Sequence, residues 1–388
     1  MIDFNYYSPT KVIFGKDSIS QLGETLKNYK HILVHFGGGS VKTNGILDAV
    51  TEQLDLFDVK YTLLGGVSPN PLLSLCHKGI DICKNNNIDF ILAVGGGSTI
   101  DSSKCIALGS KYDGDIWDAY SAKAKPDKAL PIGVVLTIAA AGSELSGSSV
   151  ITNDEGARKY SYAHEAIRPK FAFMNPEFTF TVSKYQTACG IVDILMHTFE
   201  RYFTMVEDVA LTDSLCEALC KNVINAGWIA YNDPTNYEAR ATLMWAGSIS
   251  HNGLMGVGRQ MDFGTHKLEH ELSALYANIA HGAGLAVLFP QWCRYAMDVD
   301  IDRFCRFAKE IWGVYGDGLT KKEWAEKGII TMETFFRSLG MPKNLRELGI
   351  KKEDIAYMAK KCADFYTQIG SFKPIMYEDM INIYNLAF

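Results

Sequence analysis

The stretch Asp89-Phe-Ile-Leu-Ala-Val-Gly-Gly-Gly-Ser-Thr-Ile-Asp-Ser-Ser-Lys104 decides how the first half of the chain folds. It opens on a continuous apolar run, the pattern of a strand buried on both faces, and three glycines separate that run from a helical segment. A strand, a glycine turn and a helix start in this order form a cradle for an anion. Glycine lets the backbone approach a ligand closely, and the first helical turn offers unpaired N–H groups at the positive end of its dipole. Ser98 adds a hydroxyl donor. The run matches neither Gly-x-Gly-x-x-Gly nor Gly-x-x-x-x-Gly-Lys-Ser/Thr, so it is not a standard Rossmann or Walker fingerprint.

Outward from this stretch the same alternation repeats. Apolar runs at 32–34, 61–64 and 132–137 read as buried strands, and 44–56 and 72–86 carry apolar residues at helical spacing. This predicts an α/β N-terminal dinucleotide-binding domain with a mainly parallel sheet, over residues 1–182. After residue 182 long segments rich in Leu, Ala, Met, Glu and Lys follow, which predicts an all-α C-terminal domain over 183–388; the Asp and His spacings within it make it the metal- and substrate-binding half. A second glycine run, Phe36-Gly37-Gly38-Gly39-Ser40-Val41-Lys42, also ends a strand, and two such loops suit a ligand with two anchoring regions, such as a dinucleotide. If this loop lies nearer the adenosine ribose, its lack of a carboxylate matters, because an acidic residue there would repel a 2′-phosphate. Ser40 and Lys42 would instead attract one, so the sequence predicts NADP(H) in preference to NAD(H).

Composition narrows the remaining classes. At 388 residues and 47% apolar content the chain is long enough for two domains with an ordinary hydrophobic core. The 38 basic and 44 acidic residues leave a net charge of -6 with no basic run, which argues against nucleic acid as a partner. No segment approaches the roughly 20 apolar residues of a membrane span, and residues 1–15 lack the features of a signal peptide, so the expected location is the cytoplasm. Nine cysteines, none spaced as Cys-x-x-Cys, read as free thiols rather than a disulfide or zinc framework.

The helical half carries the sharper chemistry. Asp193 and His197 stand four apart in an apolar stretch and would share a helix face; His266 and His270 repeat the spacing, and His281 follows. Such side chains suit a transition metal or zinc ion, with three His and one Asp leaving a coordination position for substrate. Spacing leaves open which of His266 and His270 is the ligand.

Taken together these motifs resemble the iron-containing alcohol dehydrogenases, in particular the group III branch of butanol dehydrogenases and aldehyde reductases. The similarity spans the whole chain: the opening Tyr6-Tyr-Ser-Pro-Thr-Lys-Val-Ile-Phe-Gly15, the two Gly-Gly-Gly-Ser loops, Val67-Ser-Pro-Asn-Pro71, Gly142-Ser-Glu144, Asn175-Pro-Glu-Phe-Thr-Phe-Thr181, Gly190-Ile-Val-Asp-Ile-Leu-Met-His197, His266-Lys-Leu-Glu-His270 and His281-Gly-Ala-Gly-Leu285. The resemblance implies a divalent ion, usually Fe²⁺ though Zn²⁺ would accept the same donors, on Asp193, His197, His266 and His281, with His270 nearby. It implies Gly37, Gly38, Gly39 and Ser40 near the adenosine ribose, Asn70 in the cofactor site, and Gly95, Gly96, Gly97 and Ser98 at the pyrophosphate. Asp101 would open the next helix, and Thr137, Lys159, Thr179 and Val182 would line the rest. Three positions depart from the family pattern: Ala141 where Thr is frequent, Phe180 where Tyr is frequent, and a segment 276–280 one residue longer than usual, which bears on how His281 reaches an ion.

The implied activity is direct hydride transfer between a nicotinamide and a small aliphatic aldehyde or alcohol whose oxygen the metal polarises. His270 would either relay a proton to the alkoxide oxygen or orient a ligand. The family also implies a homodimer, with residues 4–12 as a contributor. Three other readings compete: an NAD-dependent glycerol or diol dehydrogenase, a dehydroquinate-synthase-like lyase on the same architecture, and a dinucleotide-binding protein without activity. The lyase would need several basic residues around its substrate, and 190–200 and 245–285 with their flanks supply only Arg201, Arg259 and Lys267.

Overall fold

A computed structural model describes residues 1–388. The chain forms two compact units, one of Tyr7–Val182 with Pro234–Asn252 and the other of Met1–Tyr6, Ser183–Asp233 and Gly253–Phe388.

The first unit is built on eight strands: β1 (Lys11–Phe14), β2 (His31–Gly37), β3 (Lys60–Val67), β4 (Phe90–Gly95), β5 (Ile132–Leu136), β6 (Ser148–Asn153), β7 (Arg158–Ala163) and β8 (Phe171–Met174). Six form one parallel sheet in the order β1-β8-β5-β4-β2-β3. β4 and β5 are buried along their whole length, which is why they read as unbroken apolar runs. Helices α1 (Leu22–Leu26), α2 (Ser40–Thr43), α3 (Ile46–Leu56), α4 (Leu73–Asn85), α5 (Gly97–Gly109) and α6 (Trp117–Tyr120) accompany the sheet. One core joins Val34, Phe90, Leu92 and Phe173 to Val50 and Leu54 of α3. The chain leaves β2 for its β3 side, then returns to place β4 on the other side of β2. Ligands of open α/β sheets bind at the carboxyl ends of strands where the order reverses in this way, and both glycine loops lie there.

β6 and β7 form a separate antiparallel hairpin that the sequence reading did not anticipate. Lys104 of α5, fully buried, fixes the segment leading into it. Its ammonium donates to the Ser143 carbonyl and hydroxyl, each at 2.7 Å, to the Ser146 carbonyl at 2.9 Å and to the Ser148 carbonyl at 2.7 Å. Burial pulls that ammonium down to about 8 against the opposing pull of Asp101 and Glu144. Helix α9 (Tyr237–His251) also belongs to this unit although it lies far along the chain. Met244 joins the cluster of Ala93, Val134 and Ala172, the Ser248 hydroxyl donates to Glu144, and a side chain at Gly142 would sit 2.3 Å from the Gly247 carbonyl.

The second unit is helical, as its Leu- and Ala-rich texture predicts: α7 (Lys184–Tyr202), α8 (Ala210–Asn232), α10 (Gly264–Leu275), α11 (His281–Ala296), α12 (Ile301–Glu310), α13 (Lys321–Ser338), α14 (Ile355–Phe365) and α15 (Tyr377–Ala387). Phe199, Phe203, Phe289, Trp292, Phe304 and Phe307 stack into an aromatic core with ring centroids 4.5 to 6.4 Å apart. All nine cysteines are free and buried, with Cys216 and Cys220 one turn apart in α8. No helix is long and apolar enough to cross a membrane.

Because Lys104 alone serves so many buried acceptors, Lys104→Met should lower unfolding stability by about 3 kcal/mol, the range for removing one partner of a buried charged network. Denaturant titration of the two proteins measures it; an unchanged midpoint would show that the Ser143–Ser148 segment holds itself.

Candidate metal and dinucleotide sites

In the helical unit, three helices bring the predicted ligands together. Ser183 caps α7 by accepting the Gln186 amide at 3.2 Å, and the helix it starts is buried from Thr187 onward. Asp193 and His197 share one face of it, with His197 Nδ1 3.6 Å from Asp193 Oδ1. His266 on α10 and His281 at the start of α11 each point Nε2 to within 3.8 Å of the same oxygen. The His197 and His266 rings stack at 4.7 Å, and those of His266 and His281 lie 5.1 Å apart. Donor atoms of Asp193, His266 and His281 all fall within 4.8 Å of one another.

These separations are too long for hydrogen bonds. They suit ligands of one ion, since two donors each about 2.1 Å from a metal at a tetrahedral angle lie about 3.4 Å apart. Asp193 Oδ1 and His266 Nε2 are buried without a hydrogen-bond partner, an arrangement that is unfavourable unless something else engages them. A carboxylate oxygen with imidazole nitrogens is a donor set that Fe²⁺ and Zn²⁺ both accept. The residues therefore fit a divalent ion.

Two further buried carboxylates stand behind the imidazoles, and the sequence reading missed both. Glu200 Oε2 meets His266 Nδ1, while Oε1 accepts the Thr265 amide at 2.7 Å. Glu269 Oε2 meets His281 Nδ1. Burial would pull the His266 imidazole down, but Glu200 and Asp193 outweigh it and raise it to about 9. The signal for Glu200 was present in the sequence, because residues 193, 197 and 200 follow the helical period of one face. His270 stands apart from Asp193: it groups with Glu269 and His281, its ring 5.7 Å from that of His281, and it is half-buried. The long 276–280 connection is taken up as a turn before α11, which leaves His281 beside Asp193.

Asp262 sets where α10 begins. Its carboxylate accepts the Gly264 amide at 2.9 Å, the Ser371 amide at 2.8 Å and the Phe372 amide at 2.9 Å, bracketing Phe263, whose φ of 54° lies in the left-handed region. Burial, with help from the charge of Glu200, pushes this carboxyl up to about 6 against those three amides.

In the sheet unit, the paired strands β2 and β4 lead at their carboxyl ends into Gly37 to Ser40 and Gly95 to Ser98. Gly95 is required by packing, since a side chain there would lie 2.4 Å from the Thr99 hydroxyl. Gly96 precedes α5 without any side-chain cap, which leaves its first amides available to an anion. Asn70 adopts φ 56° and accepts the buried Lys159 ammonium at 2.9 Å, so these two predicted residues meet. Thr137 donates its amide to the Gly95 carbonyl at 3.1 Å. Both oxygens of Asp101 are engaged within the protein, by the Ser143 hydroxyl at 2.6 Å and the Val150 amide at 2.9 Å, and Thr179 spends its hydroxyl proton on the Pro176 carbonyl at 2.7 Å. Val182 closes the same turn through its amide, which donates to the Thr179 carbonyl at 3.1 Å.

Comparison with known proteins assigns both parts of the chain to one family. Residues 9–176 match the iron-containing alcohol dehydrogenase family, and 187–388 match the C-terminal region of the Fe-containing alcohol dehydrogenase family. The chain belongs to the iron-containing alcohol dehydrogenases. It is 43% identical over 391 residues to NADH-dependent butanol dehydrogenase A of Clostridium acetobutylicum, and 33% identical over 391 residues to the NADPH-dependent aldehyde reductase YqhD of Escherichia coli, covering 100% of each chain in both cases. The crystal structure of NADH-dependent butanol dehydrogenase A from Thermotoga maritima superposes with a TM-score of 0.96 at 37% identity, over 100% of this chain and 99% of that one. Membership makes the protein an NAD(P)-dependent oxidoreductase that uses a metal and a nicotinamide, and the parallel α/β unit with a helical partner is the family's fold.

Asp262 gives this iron-type alcohol dehydrogenase a pH signature. The folded protein keeps that proton up to about pH 6 while the unfolded chain loses it near 3.8, so the folded state binds more protons between these values and stability falls as pH rises through them. The stability advantage of wild type over Asp262→Asn should therefore shrink from pH 4 to pH 6, by at most about 3 kcal/mol. Chemical denaturation at several pH values measures this, and a constant difference would refute it.

Proposed function

We propose that this protein interconverts small aliphatic aldehydes and alcohols by hydride transfer with NADP(H), in the manner of a butanol dehydrogenase, using a divalent ion held by Asp193, His197, His266 and His281. The observation that carries the reading is the convergence of Asp193, His266 and His281 on one point inside the helical unit. Fe²⁺ is the proposed resident ion, and Zn²⁺ suits the same donors. When bound, the ion supplies a Lewis acid for the carbonyl oxygen and the nicotinamide supplies the hydride.

The chain's own groups do the rest. Gly95 to Ser98 and the uncapped start of α5 bind the pyrophosphate through backbone amides, and Asn70, Lys159, Thr137, Thr179 and Val182 belong to the same dinucleotide site, with Asp101 bracing it from α5. His270, outside the group around Asp193 and partly accessible, moves the proton to the developing alcohol oxygen. Gly37 to Ser40 hold the adenosine ribose, and the preference for NADP(H) rests on the absence of a carboxylate in that loop and on Lys42, whose ammonium lies 5.0 Å above the Phe36 ring. A preference for NADH is the second reading, favoured by the names of the butanol dehydrogenases at 43% identity.

The competing chemistries find less support. Arg201 donates to the His197 carbonyl at 2.6 Å, Arg259 is paired with Asp213 at 2.8 Å, and Lys267 lies over the Tyr366 ring, so the basic residues a phosphorylated lyase substrate would need are committed elsewhere. A diol dehydrogenase would be expected to carry an acidic first loop. We further propose a homodimer located in the cytoplasm, to which the exposed aromatic segment Phe4, Tyr6 and Tyr7 contributes.

Anaerobic oxidation of NADPH and of NADH with butyraldehyde, on protein loaded with Fe²⁺ or Zn²⁺, tests the proposal. The expected result is faster turnover with NADPH and a loss of at least about 100-fold in Asp193→Ala, since outer partners of a metal ligand alone are worth about 10–100-fold. Faster turnover with NADH would reverse the cofactor assignment and keep the reductase, whereas no oxidation of either nucleotide would sink the reading. In the same assay His270→Gln should lose about 100-fold in kcat while binding metal as wild type does. Weakened metal binding instead would make His270 an orienting group.

A further inference from the structure

We propose that Glu269 is the positioning residue for His281, and that the missing side chain of Gly284 is what admits it. The inference rests on the metal-centre reading above and deepens it. Glu269 sits one helical turn beyond His266 on α10 and is fully buried, and its Oε2 meets Nδ1 of His281. A carboxylate removed from water is costly unless something satisfies it, and here an imidazole N–H does so. With its proton committed to Nδ1, the His281 ring keeps its lone pair on Nε2, the atom directed at Asp193. Glu200 performs the same service for His266. The paired carboxylates leave both rings in the tautomer that a divalent ion requires and fix their orientation.

Gly284 supplies the independent observation. A Cβ at this position of α11 would lie 2.7 Å from Glu269 Cγ and 3.1 Å from Glu269 Oε1. Glycine disfavours a helix by about 1 kcal/mol relative to alanine, so its presence three residues after His281 asks for a reason, and the Glu269 carboxylate occupies the space an alanine would need. The His-x-x-Glu of α10 and the His-Gly-Ala-Gly of α11 are thus one device: the first motif brings the carboxylate, and the second leaves room for it beside the imidazole.

Competition titration of the metal-free chain with Zn²⁺ against a chromophoric chelator, and the visible spectrum of the Co²⁺-loaded chain, test this without recourse to activity. Wild type should take up one ion. Glu269→Gln should bind the same single ion about 10–100-fold more weakly, with a shifted Co²⁺ spectrum. Gly284→Ala, which leaves every ionisable group in place, should weaken binding in the same direction, and the double variant should be no weaker than Glu269→Gln alone, because both changes break one contact. Circular dichroism confirms that each variant is folded, and Gly284→Ala carries the test should Glu269→Gln not fold. Wild-type affinity and spectrum in Glu269→Gln, or additive losses in the double variant, would overturn the proposal while leaving the metal centre standing. Failure of wild type to bind any ion would overturn both.

Discussion

The constraint on which the helical unit turns is the burial of carboxylates beside imidazoles. Asp193, Glu200 and Glu269 are all removed from water and lie on two helices, each opposite at least one histidine ring. Each is costly to bury unsatisfied, and together they demand hydrogen-bond donors or a cation. The His266 and His281 imidazoles supply part of this at Glu200 and Glu269, and a divalent ion would complete it. The helices are arranged to keep this concentration of charge in place. Glu200 reaches from α7 to bind the first amides of α10, so the residue that orients His266 also fixes the helix on which His266 rides. Asp262 fastens the opposite side of the same helix start to the Ser371–Phe372 turn. Ligand geometry and helix geometry are therefore not independent variables in this unit.

The sheet unit solves a different problem. Its glycine loops present bare backbone, and bare backbone needs rigid support. Thr99 packs under Gly95, and Asp101 and Lys104, one and two turns into α5, tie that helix to the Ser143–Val150 segment. The motif Gly-Gly-Gly-Ser-x-x-Asp-x-x-Lys thus has a division of labour: the glycines and serine form the turn into α5, while the aspartate and lysine hold that helix in place. Asp101, expected in the cofactor site, is in the fold a brace between α5 and the Ser143–Val150 segment.

Much of the architecture was legible because it rests on local pattern. Continuous apolar runs announced β2, β4 and β5, glycine triplets marked the loops after β2 and β4, and four-residue spacings placed Asp193 with His197 on one face. The illegible parts depend on contacts distant in sequence. Nothing within 237–251 says that α9 packs on the sheet unit; that follows from the close approach of Gly142 to the Gly247 carbonyl and from Ser248 meeting Glu144. The choice between His266 and His270 was likewise unreadable from spacing, because both lie near the same helix face. In the fold His266 groups with Asp193 and His281, whereas His270 groups with Glu269 and His281. Glu200 itself could have been found from its helical period, but a glutamate in a long helix reads by default as a solvated residue.

The two glycine loops also differ in what they permit, and this bears on cofactor choice. At Gly95 a side chain would collide with Thr99, and at Gly96 with Ile138 at 2.2 Å, so that loop is shaped by packing and tolerates little change. At Gly39 a Cβ would meet nothing. The space beside Gly39 therefore has room for a side chain, and on the proposed placement of the adenosine ribose the absence of a carboxylate there is not a matter of crowding. On the proposed reading, charge rather than room at this loop sets the preference between the two nicotinamides, with Lys42 over Phe36 as a nearby cation. Charge at an exposed loop changes by single substitutions that leave the core untouched, which gives a physical reason why relatives sharing this fold over their full length carry both NADH-dependent and NADPH-dependent names.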